Sequence, residues 1–107
     1  MKTKLPVSAR SLQQSYPLVW KSFQDLGKQC HQAGPLDERV RRIVKVGIAA
    51  AAQSEGAVHS AVRNARAAGV SADEIRHAIL LAMTTIGFPR TMAALSWAED
   101  LLRKRGQ

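Results

Sequence analysis

The sequence predicts an all-α fold, a bundle of about five helices that assembles into a homo-oligomer. Three observations carry that reading. Apolar residues recur at three- and four-residue steps through most of the chain, with no strand-like alternation between them. Alanine supplies 17 of the 107 residues and aromatics only 5%, so helices must approach closely rather than be held apart by large side chains. The run from Ala78 to Met83 is apolar on every side, and helices of that kind are buried all round. So short a chain can hardly surround such a helix by itself, which brings in neighbouring subunits. One domain covering residues 1–107 is the expected organisation.

The elements follow in order. A first helix begins at Tyr16 and Pro17, proline being tolerated in an opening turn. Val19, Phe23, Leu26 and Cys30 form its apolar side, where Cys30 reads as a buried structural thiol, and Gly34 with Pro35 stops it. Asp37 is the candidate N-cap of a second helix. Its expected stripe is Val40, Ile43, Val44, Gly47, Ile48 and Ala51, with the arginines on the other side. Gly47 and the alanines at 49–52 permit close helix contact. A third helix spans about 54–68 and ends at Gly69, which tolerates the left-handed conformation. Ser71 and Glu74 have the spacing of a capping box and open a fourth helix through Ile75, Ala78, Ile79, Ala82 and Ile86. Gly87 and Pro89 break it; Met92, Leu95, Ala98 and Leu102 mark a fifth. Trp20, Trp97, Met83 and Met92 read as core or interface filling.

Sixteen Lys and Arg against eight Asp and Glu give a net charge of +8. Residues 1–45 hold nine of these cations and three of the acids, a local +6 that begins at Lys2 and Lys4. Only 39–45 is dense, and no aromatic lies within it to stack on a base, so no nucleic-acid partner is expected. The charged N-terminus runs into polar residues rather than an apolar secretory core. The longest apolar stretch falls far short of the roughly 20 residues of a membrane helix. A cytoplasmic protein without a membrane partner is expected. With Cys30 alone, an intramolecular disulfide is excluded.

Glu55 and His59 are the candidate chemistry. Four apart on a helix, they share one face, and a carboxylate beside an imidazole can orient the ring for proton transfer near neutral pH. Ala57, Val58 and Ala61 leave room for a small substrate. A solvated ion pair worth a few tenths of a kcal/mol has the same spacing. His31, near a helix C-terminus, and His77, four residues after Asp73, read as surface partners. No Cys or His ligands are paired locally, so neither a metal nor another cofactor is expected.

Three segments, LDERVRRIVKVGIAAAA, EGAVHSAVRNARAAGVSADEIRHAILLA and IGFPRTMAALSWAEDLL, together spanning about 36–102, resemble the carboxymuconolactone decarboxylase family, which includes the alkylhydroperoxidase D-like proteins. The resemblance implies a small all-helical protein assembling as a trimer or hexamer. Peroxidase-type members carry Cys-x-x-Cys-x-x-x-His, whose cysteines would fall on Ser54 and Ala57 and whose histidine on Ala61; their proton-relaying glutamate would fall on Arg42. A peroxidase route through a thiolate and a resolving thiol therefore lacks its residues. Glu55 and His59 match a cysteine-free branch instead, although Ala61 replaces its second histidine. That likeness implies decarboxylase-like lyase chemistry, with Glu55 and His59 as proton donor and orienter. Arg63 or Arg66 would attract a substrate carboxylate. The alternative is a non-catalytic small-molecule-binding or assembly protein that kept the fold.

Overall fold

The computed structural model describes residues 7–103, with side chains from Ala9 onward; Lys2 and Lys4 lie outside the described residues. The described residues contain helices and no strand, so the all-α fold stands. A first compact unit ends at Pro35 and holds α1 (Val7–Ser15) and α2 (Pro17–Gln32). A second begins at Leu36 and holds α3 (Glu38–Ala52), α4 (Glu55–Ala67), α5 (Ala72–Leu80), the single turn α6 (Met83–Ile86) and α7 (Phe88–Leu102).

Two differences separate these segments from the five expected helices. α1 was hidden by its composition, since VSARSLQQS offers too few apolar residues for a stripe. The fourth helix divides after Leu80, where Ala82 N–H bonds to the Ile79 carbonyl at 3.0 Å and tightens the chain into a turn. The caps fall as their residue types demand. Asp37 Oδ1 accepts from Val40 N–H at 2.9 Å and Ser54 Oγ from Ala57 N–H at 3.2 Å. Ser71 and Glu74 close both arms of the capping box, at 3.1 and 2.9 Å. Gly69 takes φ +86°, the left-handed turn that ends α4.

The second unit is built around small side chains. Val46, Ala49 and Ala50 of α3 meet Val58, Val62 and Ala65 of α4, Ile75, Ala78 and Ile79 of α5, and Ala94, Ala98 and Leu102 of α7. Gly47 faces α5 closely enough that an added Cβ would lie 3.9 Å from the Ala78 carbonyl oxygen. Trp97 packs against this core from its edge.

The apolar stripe expected on α3 is corrected by this packing. Val46, Ala49, Ala50 and, in part, Ile43 turn inward, whereas Val40, Val44 and Ile48 are 38%, 43% and 61% exposed. The alanine run makes this helix apolar on two sides. The core takes the side with the smaller residues, because they allow the helices to approach. The arginines are not simply a solvated face either: Arg41 and Arg42 are half-buried and held by Glu38, and Arg39 pairs with Glu74 of α5. In the first unit no described residue is fully buried, and Cys30 is exposed, which corrects its reading as a core thiol. Two helices alone enclose too little volume to shield a side chain completely. Trp20 sits half-buried there, its ring 5.8 Å from that of Phe23.

Candidate functional site

The α3–α4 turn sets where the site begins. Gln53 caps α3 in the left-handed region, φ 57° and ψ 39°. Its side-chain amide donates to the carbonyls of Ala50 (2.9 Å) and Arg90 (2.8 Å), tying the turn to the start of α7. Ser54 then caps α4, and Glu55 becomes its first residue, where a carboxylate is favoured by the helix dipole. One turn on, His59 lies on the same face, half-buried.

The partner of His59 is a residue that local spacing does not reveal. Its Nε2 is 2.9 Å from Asp100 Oδ2, on α7. An ionised carboxylate can only accept, so the hydrogen resides on Nε2 and Nδ1 is the ring's basic nitrogen. Glu55 completes the group: one ligand atom from each of Glu55, His59 and Asp100 lies within 4.8 Å of the others. The sequence held one clue to Asp100. Glu99 and Asp100 lie near the C-terminus of α7, where the dipole disfavours anions, so each needs a compensating partner.

Arg76 supplies that partner for Glu99. Its Nε and Nη2 donate to the two carboxylate oxygens at 2.6 and 3.1 Å, and Nη1 donates to Asp73 at 3.0 Å. This clasp joins α5 to α7. It holds the Glu99 carboxyl below its ordinary range and raises the Arg76 guanidinium further still. Glu74 is pulled down to about 2, chiefly by the Ser71 backbone N–H and then by Arg39. Asp73 therefore serves Arg76, not His77 as the four-residue spacing suggested; His77 is exposed. His31 occupies the last turn of α2, as expected.

The two arginines assigned to a substrate carboxylate sit differently. Arg63 follows His59 by one turn, half-buried, with its Nε shielded from water and without a hydrogen-bond partner. Arg66 lies at the far end of α4, where its Nη1 is 3.5 Å from the Val70 carbonyl. Of the four residues singled out from sequence, the fold groups Glu55 and His59, sets Arg63 one turn beyond them and leaves Arg66 at the other end of the helix.

Residues 17–100 match the model of the carboxymuconolactone decarboxylase family. The chain belongs to that family. It matches no curated protein. The family match begins nineteen residues ahead of the resemblance seen at Leu36 and so takes in α2. Within this carboxymuconolactone decarboxylase-family chain, Ser54 is a helix cap, and Cys30 lies on α2, outside the unit that carries Glu55, His59 and Asp100. Among the described residues, no helix is long and apolar enough to cross a membrane.

Proposed function

We propose that this family member carries out acid–base chemistry on a small anionic molecule in the cytoplasm, as a decarboxylase-like lyase, with His59 as the proton carrier. The observation behind this reading is the His59–Asp100 hydrogen bond with Glu55 alongside. Asp100 orients the imidazole and leaves Nδ1 as its basic nitrogen. When CO₂ leaves a carboxylate next to an activated carbon, the electrons of the broken C–C bond remain as an enolate. The His59 imidazolium then delivers its proton to that carbon. Exposed Glu55 relays a proton from solvent to the ring, and the guanidinium of Arg63, one helical turn on, attracts a carboxylate of the substrate. No step needs a thiol.

Assembly belongs to the same proposal. Leu18, Val19, Phe23 and Leu26 in the first unit, and Val44, Ile48, Leu81 and Phe88 in the second, are between 43% and 80% exposed. Large apolar side chains exposed in such number mark an interaction surface. Further copies of this chain, in the trimer or hexamer that the resemblance implies, are the partner proposed for it.

A panel of lactone acids and related carboxylates tests the chemistry. With one that turns over, His59→Ala should lower kcat by about 10²–10⁴-fold, the usual contribution of a positioned acid or base. Asp100→Asn should fall in the same direction and Arg63→Met should chiefly raise KM. Turnover that survives His59→Ala, or none across the panel, removes this reading. The exposure of Glu55 and Asp100 favours one other, a ligand-binding or assembly protein without catalysis, because one chain alone does not dehydrate a substrate there.

A further inference from the structure

We propose that Glu55, His59 and Asp100 form a binding site for a first-row divalent transition-metal ion. The three side chains come from one helical turn of α4 and from α7, and their ligand atoms lie within 4.8 Å of one another. Ligands held roughly 2.1 Å from one ion stand about 3–4.2 Å apart. His59 Nε2 and Asp100 Oδ2 lie just below that range at 2.9 Å, where their hydrogen bond holds them, and have only to part slightly to admit an ion. Glu55 and Asp100 are exposed, so their carboxylates can close on an ion by rotation about their own side-chain bonds with both helices in place.

A second observation comes from the chain's other acids. The protein has eight carboxylates, all among the described residues. Asp25 pairs with Lys21, Glu38 with Arg41 and Arg42, Glu74 with Arg39, and Asp73 and Glu99 with Arg76; Asp37 caps α3. Among the described residues, Glu55 and Asp100 are the two acids with neither a Lys or Arg partner nor a helix to cap, in a chain whose cations outnumber its acids two to one. They converge instead on an imidazole. One borderline nitrogen and two hard oxygens suit zinc, manganese or ferrous ions, whereas calcium and magnesium prefer oxygen throughout.

The ion has a consequence for the proton chemistry, and this part rests on the function proposed above. Taking Nε2 as a ligand displaces its hydrogen, and the neutral ring then carries its hydrogen on Nδ1. The nitrogen that would accept a proton is thereby occupied. Metal occupancy and proton transfer by His59 exclude each other, so the ion acts as an inhibitor of the reaction rather than as its cofactor.

Isothermal titration of the chelator-treated chain with ZnCl₂ tests the site, with MnCl₂ followed by electron paramagnetic resonance as a second probe. One zinc per chain is expected, with affinity at least 10-fold lower in His59→Ala and in Asp100→Asn and unchanged in His77→Ala. Circular dichroism establishes that each variant is folded. Absence of saturable binding, binding that persists in both site variants, or binding lost with His77 overturns the proposal. Turnover measured in EDTA separates this from the acid–base reading. Zinc binding without turnover keeps the site and removes the reaction; turnover without zinc binding does the reverse.

Discussion

Gln53 is the residue whose replacement tests most sharply how the turn before the site is held. It is the one non-glycine among the described residues with positive φ. Its amide donates to two carbonyls, Ala50 at 2.9 Å and Arg90 at 2.8 Å. Gln53→Ala keeps the left-handed backbone and removes both bonds. At about 0.5–1.5 kcal/mol for each neutral hydrogen bond, that variant should lose about 1–3 kcal/mol. Gln53→Gly loses the same bonds but no longer has a Cβ crowding a carbonyl, which relieves roughly 1–2 kcal/mol. The freer unfolded chain returns about 0.4–1 kcal/mol of that. The glycine variant should thus be more stable than the alanine variant by about 0.5–1 kcal/mol, although it has one carbon fewer. Urea unfolding at 25 °C, followed by Trp97 fluorescence in a Trp20→Phe background, reads this in the second unit alone. An alanine variant equal to or more stable than the glycine variant would refute the backbone argument. An alanine variant within about 0.3 kcal/mol of the parent would refute the amide's role.

Four further outcomes are expected. Ile79 is completely buried, so Ile79→Ala should cost about 2–5 kcal/mol in urea unfolding. Ile48 is 61% exposed, so Ile48→Ala should change the stability of the isolated chain by no more than about 0.5 kcal/mol while shifting the proposed assembly toward monomer in sedimentation. The Glu74 carboxyl is depressed from 4.5 to about 2, so its contribution is complete above pH 4.5 and is lost as pH falls toward 2. Urea midpoints should accordingly fall less steeply across that window in Glu74→Gln than in the parent. Asp100→Asn removes an exposed pair and should change stability by less than about 1 kcal/mol, which separates its effect on ligands from unfolding.

The fold was legible where a residue type has one local use. Asp37, Ser71 with Glu74, and Gly69 each take the position their chemistry predicts, because a cap or a left-handed turn is decided within four residues. The inward side of α3 was not legible. Its residues at 49–52 are all alanine, so periodicity offers two apolar faces, and only the neighbouring helices choose between them. The same limit applied at the site. Glu55 and His59 could be paired on a helix from their spacing, whereas Asp100 is 41 residues from His59 and reaches it only through the packing of α7 on α4.

The net charge of +8 gains a different meaning from this arrangement. Most of the acids are tied to arginine or lysine within helices or between them, so part of the basic complement serves as fasteners, some of them, such as Lys21 and Arg39, still open to solvent. Arg39 to Glu74 and Arg76 to Glu99 join α5 to α3 and to α7, and these helices present the core on which α4 rests. What remains around His59 is a local concentration of negative charge on a positive molecule. At physiological ionic strength the field of distant charges fades over about 8 Å, so what binds there is decided by the residues in contact. Arg63 favours an anion, and Glu55 with Asp100 favours a cation. On the two proposals made above, a proton, a substrate carboxylate and a metal ion compete for the small group of side chains around His59.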